Sequence, residues 1–290
     1  MSMTRDAKAG IPLPTCSADP LPRAHVSALR RAGGALRQCA AIALFFGVGL
    51  GVTLITPLLL AIPGRSRRER LGQSLIRILF RFYVRSIQQL GLFSIEFEGF
   101  ERLQDLRGVI ITANHPGILD AVFLLSRLPN AVCVMRAGLM RHPSMCGAAS
   151  LAGYVPNDRG VTLVRHAAER LRQGTTIVIF PEGTRTRSQP VNRFKKGFAL
   201  AATLTGSPVQ TVWIERSAPY FARGVGFVQP SMLPIRVRLS VGERIAPLPG
   251  EEPRAFAQRL EVYFRSNLEN TGDAIRLRPD HRHRTPGGSA

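Results

Sequence analysis

The longest apolar segment organises the chain. From Gln38 to Gly64 (QCAAIALFFGVGLGVTLITPLLLAIPG) no residue is charged. As a helix, its roughly 24 apolar residues extend about 36 Å, enough to cross about 30 Å of hydrocarbon. A buried core helix seldom stays uncharged for so long, so the pattern predicts a membrane-embedded segment. Arginines flank both ends: Arg30, Arg31 and Arg37 before it, Arg65, Arg67, Arg68 and Arg70 after it. Charge therefore assigns no orientation. With Pro57 inside the run, a single span and a hairpin that dips and returns both satisfy the pattern. Gly47 and Gly51 form one G-x-x-x-G, but glycine is common in such segments and the pair alone predicts no particular packing.

Between Leu71 and Leu90 the pattern changes. Arg77, Arg81 and Arg85 recur every four residues along one helical face, with Ile76, Leu79, Phe80, Tyr83 and Val84 on other faces. Such a helix suits either a membrane headgroup layer or the flank of a domain. From Ser94 onward short apolar runs alternate with helical ones. Strands are predicted at 94–98, 109–113, 131–135, 175–180, 209–214 and 235–241, and helices at 118–128, 161–172, 194–205 and 253–268. Runs such as VIIT and TIVIF suit a parallel sheet buried on both faces. The alternation predicts an α/β fold, a layered domain with a mostly parallel central sheet flanked by helices, plus an N-terminal membrane-embedded helix or helical hairpin. The expected segments are a disordered tail at 1–24, broken by Pro12, Pro14, Pro20 and Pro22, a membrane-anchoring helical region at 25–90, a main domain at 91–270, and a loose basic tail at 271–290.

Charge adds a partner class. Lys and Arg number 39 against 19 Asp and Glu, a formal net charge of +20, most of it arginine. Nucleic acid, anionic lipid or an acidic carrier protein would each be attracted, and high arginine usage on a solvated surface contributes about equally. No zinc-finger spacing or RNA-binding aromatic motif occurs, and the apolar run argues against a nucleic-acid partner. Cys16, Cys39, Cys133 and Cys146 include no C-x-x-C, so they read as reduced thiols rather than a disulfide scaffold or metal site.

Two segments carry candidate chemistry. In ITANHPGILDAVFLL, a buried strand leads into Asn114, His115 and Pro116, then an apolar helix. The residue before a proline is pushed out of α space, and Pro116 suits a first helical turn. His115 is thus expected at the strand-to-helix turn, with Asp120 one turn into the helix. The carboxylate could then hold one ring nitrogen and turn the other toward substrate, as a general base requires. Taken alone, a turn histidine and a helix N-terminal carboxylate explain these residues equally well. In TTIVIFPEGTRTRS, a second strand ends in a turn where Gly183 permits close backbone approach. Arg185 and Arg187 follow at once, and Arg193, Lys195 and Lys196 shortly after, a phosphate-sized concentration of positive charge. Both segments occupy carboxyl ends of strands, where open α/β sheets bind ligands.

N-H-x4-D followed downstream by F-P-E-G-T-R resembles the glycerolipid acyltransferase family, whose members include lysophosphatidic acid acyltransferases. GYVPNDR, from Gly153 to Arg159, and SPVQTVWI resemble two further family blocks, although Gln210 is polar for a buried strand. The resemblance covers roughly residues 70 to 245. It implies that His115 takes the proton of an acceptor hydroxyl as that oxygen attacks a thioester, with Asp120 holding the imidazole tautomer. It implies that Arg159 and Arg185 bind the acceptor phosphate, with Lys195 or Lys196 assisting, and that Glu182, Gly183 and Thr184 shape the loop or contact the glycerol. No cofactor or metal is implied. The donor is expected to be acyl-CoA or acyl-carrier protein. The acceptor is expected to be a lysophospholipid, 1-acylglycerol-3-phosphate first, with a non-glycerophosphate lipid such as a lyso-amino-acid lipid as the alternative. Membrane lipids and no specific nucleic acid are the implied partners, and the implied location is a bacterial inner membrane with the catalytic domain on its cytoplasmic face. A lipid hydrolase is the nearest enzymatic rival, but no G-x-S-x-G elbow is present.

Overall fold

In the computed structural model, residues 28–157, 160–187, 190–218, 228 and 232–277 are described. The expected N-terminal tail lies outside them, as does the chain from residue 278 on. Residues 38–60 of the apolar run fall within one continuous helix, α1 (Ala28–Leu60), with Pro57 in its last turn. The chain reverses only after it, at 61–64, and returns as α2 (Arg65–Gln89). The hairpin is therefore made by two full helices, not by a break at Pro57.

The sheet follows. β1 (Phe93–Glu98) leads through a short 3-10 turn (Phe100–Leu103) to β2 (Ile110–Ala113), α3 (Asp120–Arg127) and β3 (Ala131–Met135). Then come α4 (Ala137–Met140), α5 (Pro143–Ala152), β4 (Val155–Pro156), α6 (Gly160–Arg172) and β5 (Thr176–Ile179). After β5 the elements are α7 (Gly197–Thr205), β6 (Val209–Arg216), β7 (Ile235–Ile245) and α8 (Pro253–Leu277). Seven strands pair in the order β1-β7-β6-β2-β5-β3-β4. All neighbours run parallel except β6 and β7. The central strands β2 and β5 are buried at every residue, which is why their sequences do not alternate. Gln210 finds its place at the register shift between β6 and β7, where its amide donates to the Gly242 carbonyl at 2.8 Å. The displaced register frees a carbonyl that an ordinary ladder would have used.

Helices α4 and α5 and strand β4 are not legible as periodic elements. Residues 137–152 are small and mixed (AGLMRHPSMCGAASLA) because α5 serves close approach rather than a broad apolar face. A side chain on Gly147 of α5 would run into Thr53 of α1, and one on Gly49 of α1 into the Ser144 backbone. The Gly147 N–H donates to Thr53 Oγ1 at 3.2 Å across this crossing. Small residues let the two backbones meet, as in membrane helix pairs. The Gly47–Gly51 pair has open space around it and takes no part in the contact.

Helix α1 also touches the domain near its start and middle. Gln38 exchanges hydrogen bonds with the Val228 backbone at 2.9 and 2.7 Å, and Phe45 packs against Tyr83 at 5.2 Å between ring centroids. Gly34, Gln38, Ala41, Val52 and Thr56 are buried, while Leu36, Leu54 and Leu58 on the other side are more than 70% exposed. Helix α2 flanks the domain, as one of the two expectations for it had it. It buries Ile76, Tyr83, Val84 and Ile87 in the domain and leaves Ile78 and Phe82 exposed outward. At the far end α8 runs to Leu277, past the boundary expected at 270, with Pro279 just beyond.

Candidate active site

Strands β2 and β5 are parallel neighbours, with Thr112 beside Ile179. Their carboxyl ends therefore deliver the segments after Ala113 and after Ile179 to the same edge of the sheet. Asn114 fixes the first of them. Its side chain bonds both the carbonyl and the N–H of Ile214 in β6, at 2.8 and 2.7 Å, extending the ladder by one step. His115 follows, held in the turn rather than in the strand.

The expected pair is formed. His115 Nδ1 lies 2.8 Å from Asp120 Oδ2. The same oxygen accepts the Gly117 N–H at 2.7 Å. Helix α3 begins at Asp120 itself, with Leu119 as its cap, so the carboxylate sits at the helix start instead of one turn inside. Pro116 lies in the turn before the helix, not in its first turn. The five-residue spacing thus spans a loop, which lets both side chains converge without the angular splay of a helix. Asp120 is fully buried, whereas the His115 side chain keeps 19% of its surface. A carboxylate can only accept, so the His115 proton is placed on Nδ1 and the other ring nitrogen, Nε2, has a lone pair. The ring stacks on Phe180 at 4.0 Å between centroids and 18° between planes. Phe180 is the last residue before the second segment, so the two strand ends share one aromatic stack.

Glu182 joins the segments through the backbone. It is 1% exposed. Its Oε1 accepts the His115 N–H at 3.0 Å and the Thr186 hydroxyl at 2.6 Å, and its Oε2 accepts the Asn192 N–H at 2.9 Å. The Thr186 N–H donates back to the His115 carbonyl at 2.8 Å. Burial raises the Glu182 pKa, and the hydrogen bonds from Thr186, Asn192 and His115 oppose that rise. Glu182 is therefore placed beneath the loop as its brace, while Gly183 and Thr184 form its exposed tip.

Gly183 has φ +68°, and a Cβ there would press on Lys195 Cγ at 3.3 Å. The positive φ favours glycine, and any Cβ would also need the exposed Lys195 side chain to give by a few tenths of an ångström. Lys195 arrives beside the tip because its N–H donates to the Pro181 carbonyl at 2.7 Å, and its side chain is exposed. Arg185 is half-buried, with its carbonyl held by the Asn192 amide at 3.1 Å. Of the expected site residues, His115, Asp120, Glu182, Gly183, Thr184, Arg185 and Lys195 thus belong to two braced loops at one sheet edge. Arg159 lies outside the described residues. Among the described residues, no three His, Cys, Asp or Glu side chains gather as a metal site. Phe180, Thr186 and Asn192 carry positioning roles that the sequence did not announce. Phe180 was visible as the last apolar residue of its strand, but Asn192 offered no signal at all.

Residues 94–215 match the family model described as Acyltransferase. The chloroplastic 1-acyl-sn-glycerol-3-phosphate acyltransferase of Arabidopsis thaliana is 30% identical over 153 residues, 50% of this chain and 40% of that protein. The 1-acyl-sn-glycerol-3-phosphate acyltransferase of Borreliella burgdorferi is 28% identical over 156 residues, 52% of this chain and 62% of that protein. The chain thus spans about half the length of the curated relatives it matches. The crystal structure of the 1-acyl-sn-glycerophosphate acyltransferase PlsC from Thermotoga maritima has the same fold, with a TM-score of 0.62. It is 21% identical, and the match covers 87% of this chain and 97% of that one.

Proposed function

We propose that this chain, whose residues 94–215 match the family model described as Acyltransferase, transfers a fatty acyl group from a thioester to the hydroxyl of a lysophospholipid. The observation that carries this reading is the 2.8 Å contact between His115 Nδ1 and a fully buried Asp120, beside a loop tip bearing Arg185 and Lys195. Nε2 of His115 removes the acceptor hydroxyl proton as the oxygen attacks the thioester carbonyl. The C–S bond then breaks, the new ester bond remains, and the imidazolium returns its proton to the departing thiolate. Asp120 holds the tautomer and offsets the charge of the imidazolium. The thiol leaving group belongs to coenzyme A or to acyl-carrier protein.

Arg185, Lys195 and, by resemblance, Arg159 receive the acceptor phosphate. The relatives named as 1-acyl-sn-glycerol-3-phosphate acyltransferases support 1-acylglycerol-3-phosphate as that acceptor, giving phosphatidic acid. The exposed apolar sides of α1 and α2 support a membrane location, at which the domain meets lipids from the cytoplasmic face of a bacterial inner membrane. Helix α1 is long and apolar enough to cross a bilayer, but its contacts with Val228, Tyr83 and Gly147 favour a helix lying along the domain, with its outer half in lipid.

The test is a product assay. Purified protein is given labelled acyl-CoA or acyl-carrier protein with a panel of lyso-lipids, and products are resolved by mass spectrometry. A new diacyl phosphate lipid is expected, and His115→Ala is expected to abolish it while the protein still sediments with vesicles. Release of free fatty acid without a new ester would refute the transfer reading.

A further inference from the structure

A second basic site lies away from the catalytic loops. Asp120 and Arg127 are the two ends of α3, so their Cα atoms are about 10 Å apart along its axis. At the Arg127 end, α2, the end of β1 and the 3-10 turn after it enclose an open cleft of about 500 Å³. Arg77, Arg81 and Arg127 line it, along with Phe100 and Gln104. Arg85 acts on the same cluster electrostatically. Four like charges in one place repel each other, and the cleft contains little to offset them. Glu101 is the one carboxylate among the lining residues, and it forms no ion pair among the described residues.

The remaining contacts are weak. Arg77 reaches Gln104 Oε1 at 3.5 Å, while its Nε is buried without a hydrogen-bond partner among the described residues. A buried unpartnered donor costs about 1–3 kcal/mol, so its persistence points to a missing acceptor. Arg127 rests its guanidinium on the Phe97 ring at 4.2 Å, which leaves its N–H edge open to an acceptor. Burial and then the neighbouring arginines lower the pKa of Arg127, and burial and then Arg81 lower that of Arg77. An anion in the cleft would relieve both the repulsion and the orphaned donor.

The surroundings identify the kind of anion. On α2, Ile78 and Phe82 follow Arg77 and Arg81 by one residue each, and they are 62% and 52% exposed. Along one helix an outward apolar stripe therefore borders the cationic row, an arrangement that serves an acyl-chain boundary on one side and headgroups on the other. A soluble acidic ligand has no use for the apolar stripe. We infer that the cleft formed by Arg77, Arg81 and Arg127 is a second phospholipid site, which takes the phosphate headgroup of an anionic membrane lipid that is not the acyl acceptor. It rests on the membrane placement proposed above.

Vesicle binding by the full chain tests it, with phosphatidylcholine alone and phosphatidylcholine mixed with phosphatidylglycerol. Wild type is expected to bind both and to prefer the anionic mixture. The double variant Arg81→Gln/Arg127→Gln is expected to keep its binding to neutral vesicles, which certifies its fold, and to lose the anionic preference by about thirtyfold. The single variant Arg81→Gln, which leaves the Phe97 stack untouched, should lose part of it. A charge-matched control, Arg165→Gln/Arg254→Gln on exposed positions of α6 and α8, should retain nearly all of it. Equal losses in the control and the cleft variant would overturn the site in favour of net charge alone. An unchanged preference in the cleft variant would also overturn it, as would cleft-dependent binding of an acidic carrier protein with no lipid preference. Wild type that binds neither vesicle would overturn the membrane placement itself.

Discussion

Replacing Asp120 with Asn tests the dyad with little change of shape. Oδ2 of Asp120 accepts from both His115 Nδ1 and the Gly117 N–H, at 2.8 and 2.7 Å. An amide oxygen in the same position still accepts both, so the turn survives. What disappears is a negative charge 3–4 Å from the imidazolium that forms as the hydroxyl is deprotonated. At an effective dielectric constant of about 20, such a charge contributes about 4–5.5 kcal/mol. Each 1.36 kcal/mol is a factor of ten, so kcat should fall by about 10³–10⁴. The assay follows thiol release from acyl-CoA in detergent micelles containing the lysophospholipid acceptor. Acceptor KM should change little, because Arg185 and Lys195 remain in place. A folded Asp120→Asn variant that keeps more than about a tenth of wild-type kcat would show that Asp120 does not act on charge developing at His115.

Other residues divide the machinery differently. Arg185→Ala should raise the acceptor KM about tenfold or more with little effect on the donor KM, in keeping with loss of a charge-assisted phosphate contact; equal effects on both substrates would remove the phosphate assignment. Glu182→Gln keeps one acceptor oxygen, for His115 and Thr186, but turns an NH₂ group against the Asn192 N–H, so it should cost about 1–3 kcal/mol of stability, visible as a lower Tm, and should reduce kcat even under conditions where the variant is folded. Gly147→Leu should part α5 from Thr53 of α1 and weaken vesicle binding, with thiol release in detergent as the comparison; unaltered binding would mean that this helix crossing does not set the membrane-facing surface.

The strands and helices of the domain were legible where burial is simple. β3 begins and ends as its apolar run does, and β2 and β5 read as continuous hydrophobic runs because both their faces are covered. The segment at 137–152 was not legible, since its small residues answer to the surface of α1, and no periodicity within the segment can encode a partner far away in sequence. The same holds in the site. His115 and Asp120 were readable from a proline turn and a motif. The roles of Glu182, Thr186 and Asn192 depend on backbone N–H groups brought together by parallel pairing, and a backbone N–H has no letter in the sequence. The loop start of α3 was misplaced because Pro116 can begin a helix or simply stiffen a turn, and the pairing of Asp120 with Gly117 N–H selects the turn.

The brace beneath the loop has a consequence for how this site could change. Glu182 grips His115 and Asn192 by their main chain, so the grip is indifferent to the side chain at position 192. The exposed tip at Gly183 and Thr184, with Arg187 beyond it, contributes nothing to that grip through side chains. On the function proposed above, proton transfer and headgroup choice would thus be mounted on one frame but written in separate residues. New acceptors could be sampled at the tip while the base stays in register, so a shift in lipid preference need not pass through an inactive intermediate.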